Sequence, residues 1–113
     1  MRKIEQQMNQ AISNNETWQS ANTSVHYSAE YNSSTVYLHG NLIAIVNENG
    51  VELFDGGWQT NTTKSRLNAI LQEHAIEGEK VFQKAGDWFI KQYNDVQKDW
   101  EVVPFKSGMV VGA

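Results

Sequence analysis

The spacing between apolar residues changes twice along the chain, and these changes limit the folds that it can adopt. Near the amino terminus, apolar side chains recur on one helical stripe, namely Ile4, Met8, Ala11 and Ile12. In residues 23–29 and 35–38, apolar and polar residues alternate, which is typical of strands that bury one face. Helical spacing returns in a second set, Leu67, Ile70, Leu71 and His74. The sequence therefore predicts an α+β fold with an N-terminal helix, an antiparallel sheet, a second helix over residues 63–75, and further strands.

Two turn signals divide the strand region. His39 and Gly40 predict a tight turn, because glycine readily adopts a positive φ. Asn49 and Gly50 predict a hairpin with a type I′ turn, which requires a positive φ at both of these residues. The stretch between the turns contains LIAIV at residues 42–46, and such an unbroken apolar run predicts a central strand covered on both faces. Together these signals predict a meander of antiparallel strands.

Residues 79–93 fit two patterns. Residues 80–84 and 88–93 could pair as a hairpin around Ala85, Gly86 and Asp87, but the same segment also satisfies helical spacing. Gly86 would cost that helix about 1 kcal/mol relative to alanine, which favours the hairpin.

The last segment, residues 100–111, surrounds the only proline of the chain, Pro104. Because proline has no N–H to donate to a ladder, we expect an edge strand there, or a pair of strands broken at residues 106–108. The nearby acidic residues Asp95, Asp99 and Glu101 are expected to form a solvated loop.

Length and composition bound the class of protein. A chain of 113 residues is expected to form a single domain over residues 1–113. Its 13 acidic and 9 basic residues give a net charge of −4, and the basic residues are scattered. This balance disfavours nonspecific nucleic-acid binding and suits docking onto a basic protein surface. Without an apolar leader or an apolar run long enough to cross a membrane, we expect a soluble, cytoplasmic protein.

No residue pattern points to catalysis or to a cofactor. Cysteine is absent, which excludes a disulfide, a thiolate nucleophile and a zinc site with cysteine ligands. The histidines His26, His39 and His74 lack the spacing of a metal site, and there is no GxSxG, SxxK or phosphate-binding GxxxxGK motif. We therefore expect a protein that is not an enzyme and binds neither metal nor cofactor.

One polar stretch is the best candidate for a binding site. It combines an aromatic ring, several hydroxyls and two cations at the start of the second predicted helix, and its members are Trp58, Thr60, Asn61, Thr62, Thr63, Lys64 and Arg66. A helix N-terminus attracts anions, so such a surface could bind phosphate or an acidic side chain. His39 and Asn41, in the predicted turn, form a second candidate.

The same stretch has a purely structural interpretation. Asn61, Thr62 or Thr63 could cap the helix, since their side-chain oxygens can accept from its first free N–H groups. In that case Trp58 would be a buried anchor of the helix, and Lys64 and Arg66 would only be solvated.

Several segments resemble a group of small accessory proteins of tailed bacteriophages. The resemblance rests on NTSV at 22–25, VYLHGNLIAI at 36–45, GWQTNTTKSRLNAIL at 57–71 and VPFKSGM at 103–109. It implies a context rather than an activity, because phage accessory proteins of this size commonly bind host or phage macromolecules, including components of host defence.

Two functional hypotheses follow. The first is a non-catalytic phage protein that binds a host or phage protein, for example to inhibit a host defence complex such as a CRISPR effector. The alternative is a nucleic-acid-binding module that uses the surface from Trp58 to Arg66. Net charge favours the first hypothesis, whereas the local cations favour the second.

Overall fold

A computed structural model of the chain describes residues 1–112, which form two helices and nine strands. The helices are α1 (Lys3–Ser13) and α2 (Asn61–His74). The strands between them are β1 (Trp18–Ser20), β2 (Thr23–Ser28), β3 (Ser33–Leu38), β4 (Asn41–Asn47) and β5 (Gly50–Leu53). After α2 come β6 (Lys80–Lys84), β7 (Asp87–Asn94), β8 (Asp99–Pro104) and β9 (Met109–Val111).

The strands form two antiparallel sheets. The larger sheet has the order β1-β2-β3-β4-β5-β9, and the smaller one has the order β6-β7-β8. The α+β class and the predicted meander are confirmed, because β1 to β5 each pair with the next strand in the chain. Helices α1 and α2 pack against each other and against the larger sheet. Met8, Leu53, Leu67 and Ile70 are fully buried in the core between them.

Of the two predicted hairpin turns, one is confirmed and the other is wrong in its type and position. His39 and Gly40 both have a positive φ, at 51° and 76°, so the tight turn is confirmed. The type I′ turn at Asn49 and Gly50 is wrong, because β4 and β5 are joined through residues 48 and 49 and only Gly50 has a positive φ, at 122°. The side chain of Asn47 explains this shift, since its Oδ1 accepts from the Asn49 N–H at 2.9 Å and shapes the turn one residue earlier.

A β-bulge explains the apolar run at residues 42–46. Along the β3–β4 pair, Val36 lies opposite Ala44 and Tyr37 lies opposite Leu42, which leaves Ile43 as an extra residue. Ile43 and Ala44 are therefore both buried although they are neighbours, whereas Leu42 and Ile45 remain partly exposed. The expectation of a strand covered on both faces is wrong.

The carboxyl-terminal third contains the predicted hairpin. Strands β6 and β7 are joined through Ala85 and Gly86, which both have a positive φ, so the alternative helix is excluded. Strand β8 ends at Pro104 and lies at the edge of the smaller sheet, and the break at residues 106–108 carries the chain across to β9 in the larger sheet. The predicted edge strand at Pro104 and the predicted break at residues 106–108 are therefore confirmed, although β8 and β9 belong to different sheets.

Helix α2 attaches the smaller sheet to the core. The Asn68 side chain donates to the Val81 carbonyl oxygen at 2.9 Å and accepts from the Val81 N–H at 2.7 Å. Asn68 thus makes the two hydrogen bonds that a neighbouring strand would make, and it closes part of the free edge of β6.

Candidate functional site

A cleft of about 380 Å³ lies where the β3–β4 turn meets the loop after β5 and the first turn of α2. Six of the nine predicted site residues line it, and these are His39, Asn41, Trp58, Thr60, Thr62 and Thr63. The fold therefore brings the two candidate sites together, although about 20 residues separate them in the sequence. The remaining lining comes from the apolar Leu38 and Ile43 and from Asp55 and Gly56.

Gly56 allows the loop after β5 to lie close against β4. Its φ is +70°, and an added Cβ would lie 3.3 Å from both the Asn41 Cβ and the Ile43 Cγ2. Asp55 holds the same loop, since its Oδ1 accepts from the Gly57 N–H at 2.8 Å and its own N–H donates to the Ser107 hydroxyl at 3.1 Å. The loop that forms this wall of the cleft is thus held by one hydrogen bond within the loop and by one to Ser107.

Trp58 lies at the rim of this cleft with its ring open to solvent. The side chain is 73% exposed, compared with 4% for Trp88 in the core. The interpretation of Trp58 as a buried helix anchor is therefore wrong. An exposed indole beside a concave surface is typical of a binding surface.

Thr60 caps α2, one residue before the candidates that the sequence offered. Its hydroxyl accepts from the Thr63 N–H at 3.1 Å, and its carbonyl oxygen accepts from the Lys64 N–H at 3.0 Å. The expectation of a cap from Asn61, Thr62 or Thr63 is wrong, because the helix begins at Asn61, earlier than predicted. Thr63 is buried, and its hydroxyl lies 2.9 Å from that of Thr60.

Arg66 is a buried structural residue and does not belong to the surface. Its guanidinium donates to Glu5 at 2.8 Å, to the Thr23 hydroxyl at 3.0 Å and to Asn22 at 3.3 Å. The side chain is 4% exposed and ties α2 to both α1 and the start of β2. Both interpretations of Arg66, as a binding residue and as a solvated cation, are therefore wrong.

The other two predicted residues lie outside the cleft. The Lys64 ammonium donates to the Gln83 side chain on β6 at 3.2 Å. Asn61 is exposed at the first position of α2. Among residues 1–112, no lysine or arginine lines the cleft, and the charged group in its wall is Asp55. The arrangement thus suits neutral or basic groups better than the anions that the sequence suggested.

The surroundings of the Glu5 and Arg66 pair lower the pKa of Glu5. Burial raises the pKa of Glu5, but hydrogen bonds from Ser65, Arg66 and the Arg2 N–H together outweigh it and hold this pKa below its ordinary value. The Ser65 hydroxyl lies 2.6 Å from the Glu5 carboxylate. Glu5 is therefore held as an anion in the core, as the Arg66 guanidinium requires.

The remaining titratable side chains do not converge. In the part of the chain that the structure describes, no three His, Asp or Glu side chains lie close enough together to hold a metal ion. His26 is exposed on β2, whereas His74 is partly buried at the end of α2. Burial lowers the pKa of His74, although the neighbouring Glu73 raises it. Asp99 lies on β8, so the predicted acidic loop is a strand from that residue onward.

Neither helix of the described chain has the length and apolar character needed to cross a membrane. A search of curated proteins and a search of solved structures find no match to the chain. A protein-family model described as Kyanoviridae Gp96 protein matches residues 1–112. The expected phage context is thereby confirmed at the level of the family. The chain belongs to the Kyanoviridae Gp96 family, a family of phage proteins.

Proposed function

We propose that this phage protein is non-catalytic and binds a host or phage protein through its cleft, with Trp58 as the anchoring side chain. The observation that carries the proposal is the 73% exposure of Trp58 at the rim of a cleft. Tryptophan is the residue type most enriched among energetically dominant contacts of protein interfaces. Leaving an indole in water has no benefit for folding, which makes a binding role the simplest account of its position.

The lining of the cleft indicates the chemistry of the partner. Asp55 supplies a carboxylate, and His39, Asn41 and Thr60 supply further hydrogen-bonding groups. An arginine or lysine of the partner could pair with Asp55 and lie over the Trp58 ring. The net charge of −4 would favour approach to such a basic surface. We therefore propose a partner that inserts a basic side chain into the cleft.

The biological role that we propose is interference with a host defence complex, such as a CRISPR effector. Membership of a phage family supports this role, because the resemblance to phage accessory proteins implies binding to host or phage macromolecules. Basic surfaces that bind nucleic acid are common on defence complexes of this kind, and they match the chemistry proposed for the cleft.

The alternative of nucleic-acid binding through the surface from Trp58 to Arg66 has less support. Arg66 is committed to Glu5, and Lys64 donates to Gln83. A strand of phosphates would then meet Asp55 rather than a row of cations, which is unfavourable.

Affinity capture from host lysate tests the proposal. Three immobilised chains are compared: the wild type, Trp58→Ala, and Tyr31→Ala as a control. Tyr31 is 74% exposed in the turn between β2 and β3, so the control removes an equally exposed ring at the other end of β3. Each lysate is used with and without nuclease treatment.

We expect a protein that is retained by the wild type and by Tyr31→Ala, is lost with Trp58→Ala, and is unaffected by nuclease. Equal retention by all three chains would show that the cleft is not the site. Loss of the captured protein after nuclease treatment would show that nucleic acid bridges the two, and it would also overturn the proposal.

A further inference from the structure

The smaller sheet has an open face that the cleft does not use. Side chains alternate along β7, and Trp88 and Ile90 are buried on the side of α2 and the core. Phe89, Lys91 and Tyr93 therefore lie on the opposite side, which we name the outer face. The outer face carries the alternate residues of β6 and β8 as well, beginning with Phe82 and Trp100.

Four aromatic rings lie on the outer face in two cross-strand pairs. Phe82 and Phe89 are stacked, with ring centroids 5.9 Å apart, and Tyr93 and Trp100 meet edge to face at 5.5 Å. All four rings are partly exposed, and Trp100 is 38% exposed. Phe89 and Tyr93 are four residues apart on one strand, so the two pairs are separated by about 13 Å.

Lysines lie between and beside these aromatic pairs. Lys80 and Lys91 are direct neighbours across β6 and β7, and they separate the two pairs. The Lys91 ammonium lies 5.1 Å from the centre of the Trp100 ring. Lys84 lies on the same face at the end of β6, opposite Asp87. Within residues 1–112, Asp87 is the one acidic residue that the alternation of side chains along β6, β7 and β8 places on the outer face. One third of the nine basic residues of an acidic chain thus lies on a single sheet face.

We propose that the outer face binds single-stranded nucleic acid. Exposed aromatic rings stack with unpaired bases, and lysines between them bind the phosphates that link those bases. The two aromatic pairs lie about 13 Å apart, so bases of one strand could stack on both pairs while the lysines between them bind the linking phosphates. A duplex does not fit this arrangement, since its bases are stacked on one another and closed to side-chain rings.

Charge argues against a second copy of this chain as the occupant. A two-fold contact centred on the outer face would place Lys80 and Lys91 of one copy close to the same lysines of the other, because these residues lie between the two aromatic pairs. Such like-charge contacts are unfavourable, whereas phosphates neutralise them. The site also differs from the cleft beside Trp58, which no lysine of residues 1–112 lines.

Fluorescence anisotropy of labelled oligonucleotides tests the proposal on the full chain. The probes are a 12-nucleotide single strand as DNA, the same strand as RNA, and the DNA annealed to its complement. Titrations at 50 and 200 mM salt give the number of phosphates neutralised. With three lysines, we expect a log–log slope of about −2 on single strands.

Three double variants, two on the outer face and one control, separate the contribution of this face from that of charge alone. Lys80→Gln with Lys91→Gln removes two lysines of the outer face, and Lys3→Gln with Lys106→Gln removes the same charge from exposed positions elsewhere. Phe82→Leu with Phe89→Leu removes one stacking pair while keeping apolar bulk, and its circular dichroism and melting midpoint check that it folds. We expect the two outer-face pairs each to weaken single-strand binding about tenfold or more, and the control pair to change it less than twofold.

Three results would overturn the proposal. They are absence of single-strand binding at 50 mM salt, stronger binding of the duplex, and equal loss of binding in the control pair. A concentration-dependent dimer that the phenylalanine variants abolish, with no oligonucleotide binding, would assign the face to self-association instead. Trp58→Ala is expected to leave oligonucleotide binding unchanged, so this proposal and the proposed function can fail separately.

Discussion

Arg66 is the single residue whose environment departs most from what its sequence neighbourhood indicates. It follows a run of small polar residues and resembles a solvated cation, yet its guanidinium is buried against Glu5. The partner lies on α1, far away in the chain, and only the packing of α1 on α2 brings the two together. No local pattern could have indicated this pair.

Removal of Arg66 should therefore act on stability. We expect Arg66→Ala to lower the free energy of unfolding by about 3–5 kcal/mol, because Glu5 would remain as an unpaired buried charge. Lys64→Ala, which removes a cation from a partly exposed position on the same helix, should cost less than about 0.5 kcal/mol. Urea denaturation of both variants measures the difference, and equal costs would contradict the buried pair.

The same pair predicts a dependence of stability on pH. Because the pKa of folded Glu5 is lowered, its contribution is fully present above the unfolded pKa of about 4.3 and is lost as the pH falls through the folded value. Glu5→Gln should be less stable than the wild type at pH 7, and this difference should shrink as the pH falls from about 5 to about 2.

Urea midpoints of the two proteins across that range test the expectation. His74 contributes a separate loss that begins below its unfolded pKa of about 6.5, since burial lowers its folded pKa, and this loss is common to both proteins. A stability difference between the two proteins that stays constant with pH would contradict the argument.

At the scale of elements, the polar residues at the start of α2 contribute unequally to the stability of the fold. Thr60 holds the cap, so Thr60→Ala should cost about 1 kcal/mol through the lost hydrogen bond to the Thr63 N–H. Thr62 lines the cleft without capping the helix, and Thr62→Ala should cost less than about 0.5 kcal/mol. Thermal denaturation of the two variants is the measurement, and a larger loss for Thr62→Ala would show that the cap is misassigned.

The spacing of apolar residues predicts most of the elements, because both helices and the strands β2 and β3 bury alternate or periodic positions on one face. The stripe from Ile4 to Ile12 becomes α1, and the alternation from Val25 onward becomes the meander. Periodicity cannot show the bulge at Ile43, since its cause is the pairing register with β3. It also cannot choose among adjacent Asn and Thr residues as the cap, because all of them have suitable side-chain oxygens.

Six of the residues that line the cleft could be predicted from the sequence, but the sequence could not show that they form a single site. Trp58 and His39 were each notable in the sequence, and the close approach at Gly56 is what joins them. The outer face could not be predicted from the sequence, for a similar reason. Lys80 and Lys91 look scattered along the chain, and only the β6–β7 register makes them neighbours.

At the scale of the whole molecule, the two binding surfaces that we propose lie in separate parts of the fold. The cleft lies at one end of the larger sheet, and the outer face belongs to the smaller sheet. The cleft has an acidic wall at Asp55, whereas the outer face carries lysines. Opposite charge on the two surfaces allows one chain to approach a basic protein and a nucleic acid at the same time.

We propose that Trp58 contacts a protein partner, and site-specific photo-crosslinking tests this contact at the residue itself. A photoreactive phenylalanine analogue is placed at position 58 in one chain and at position 31 in another, and each is irradiated in host lysate after nuclease treatment. We predict a covalent adduct with one protein from position 58 and none of that adduct from position 31. The same adducts from both positions, or no protein adduct from position 58, would contradict the account.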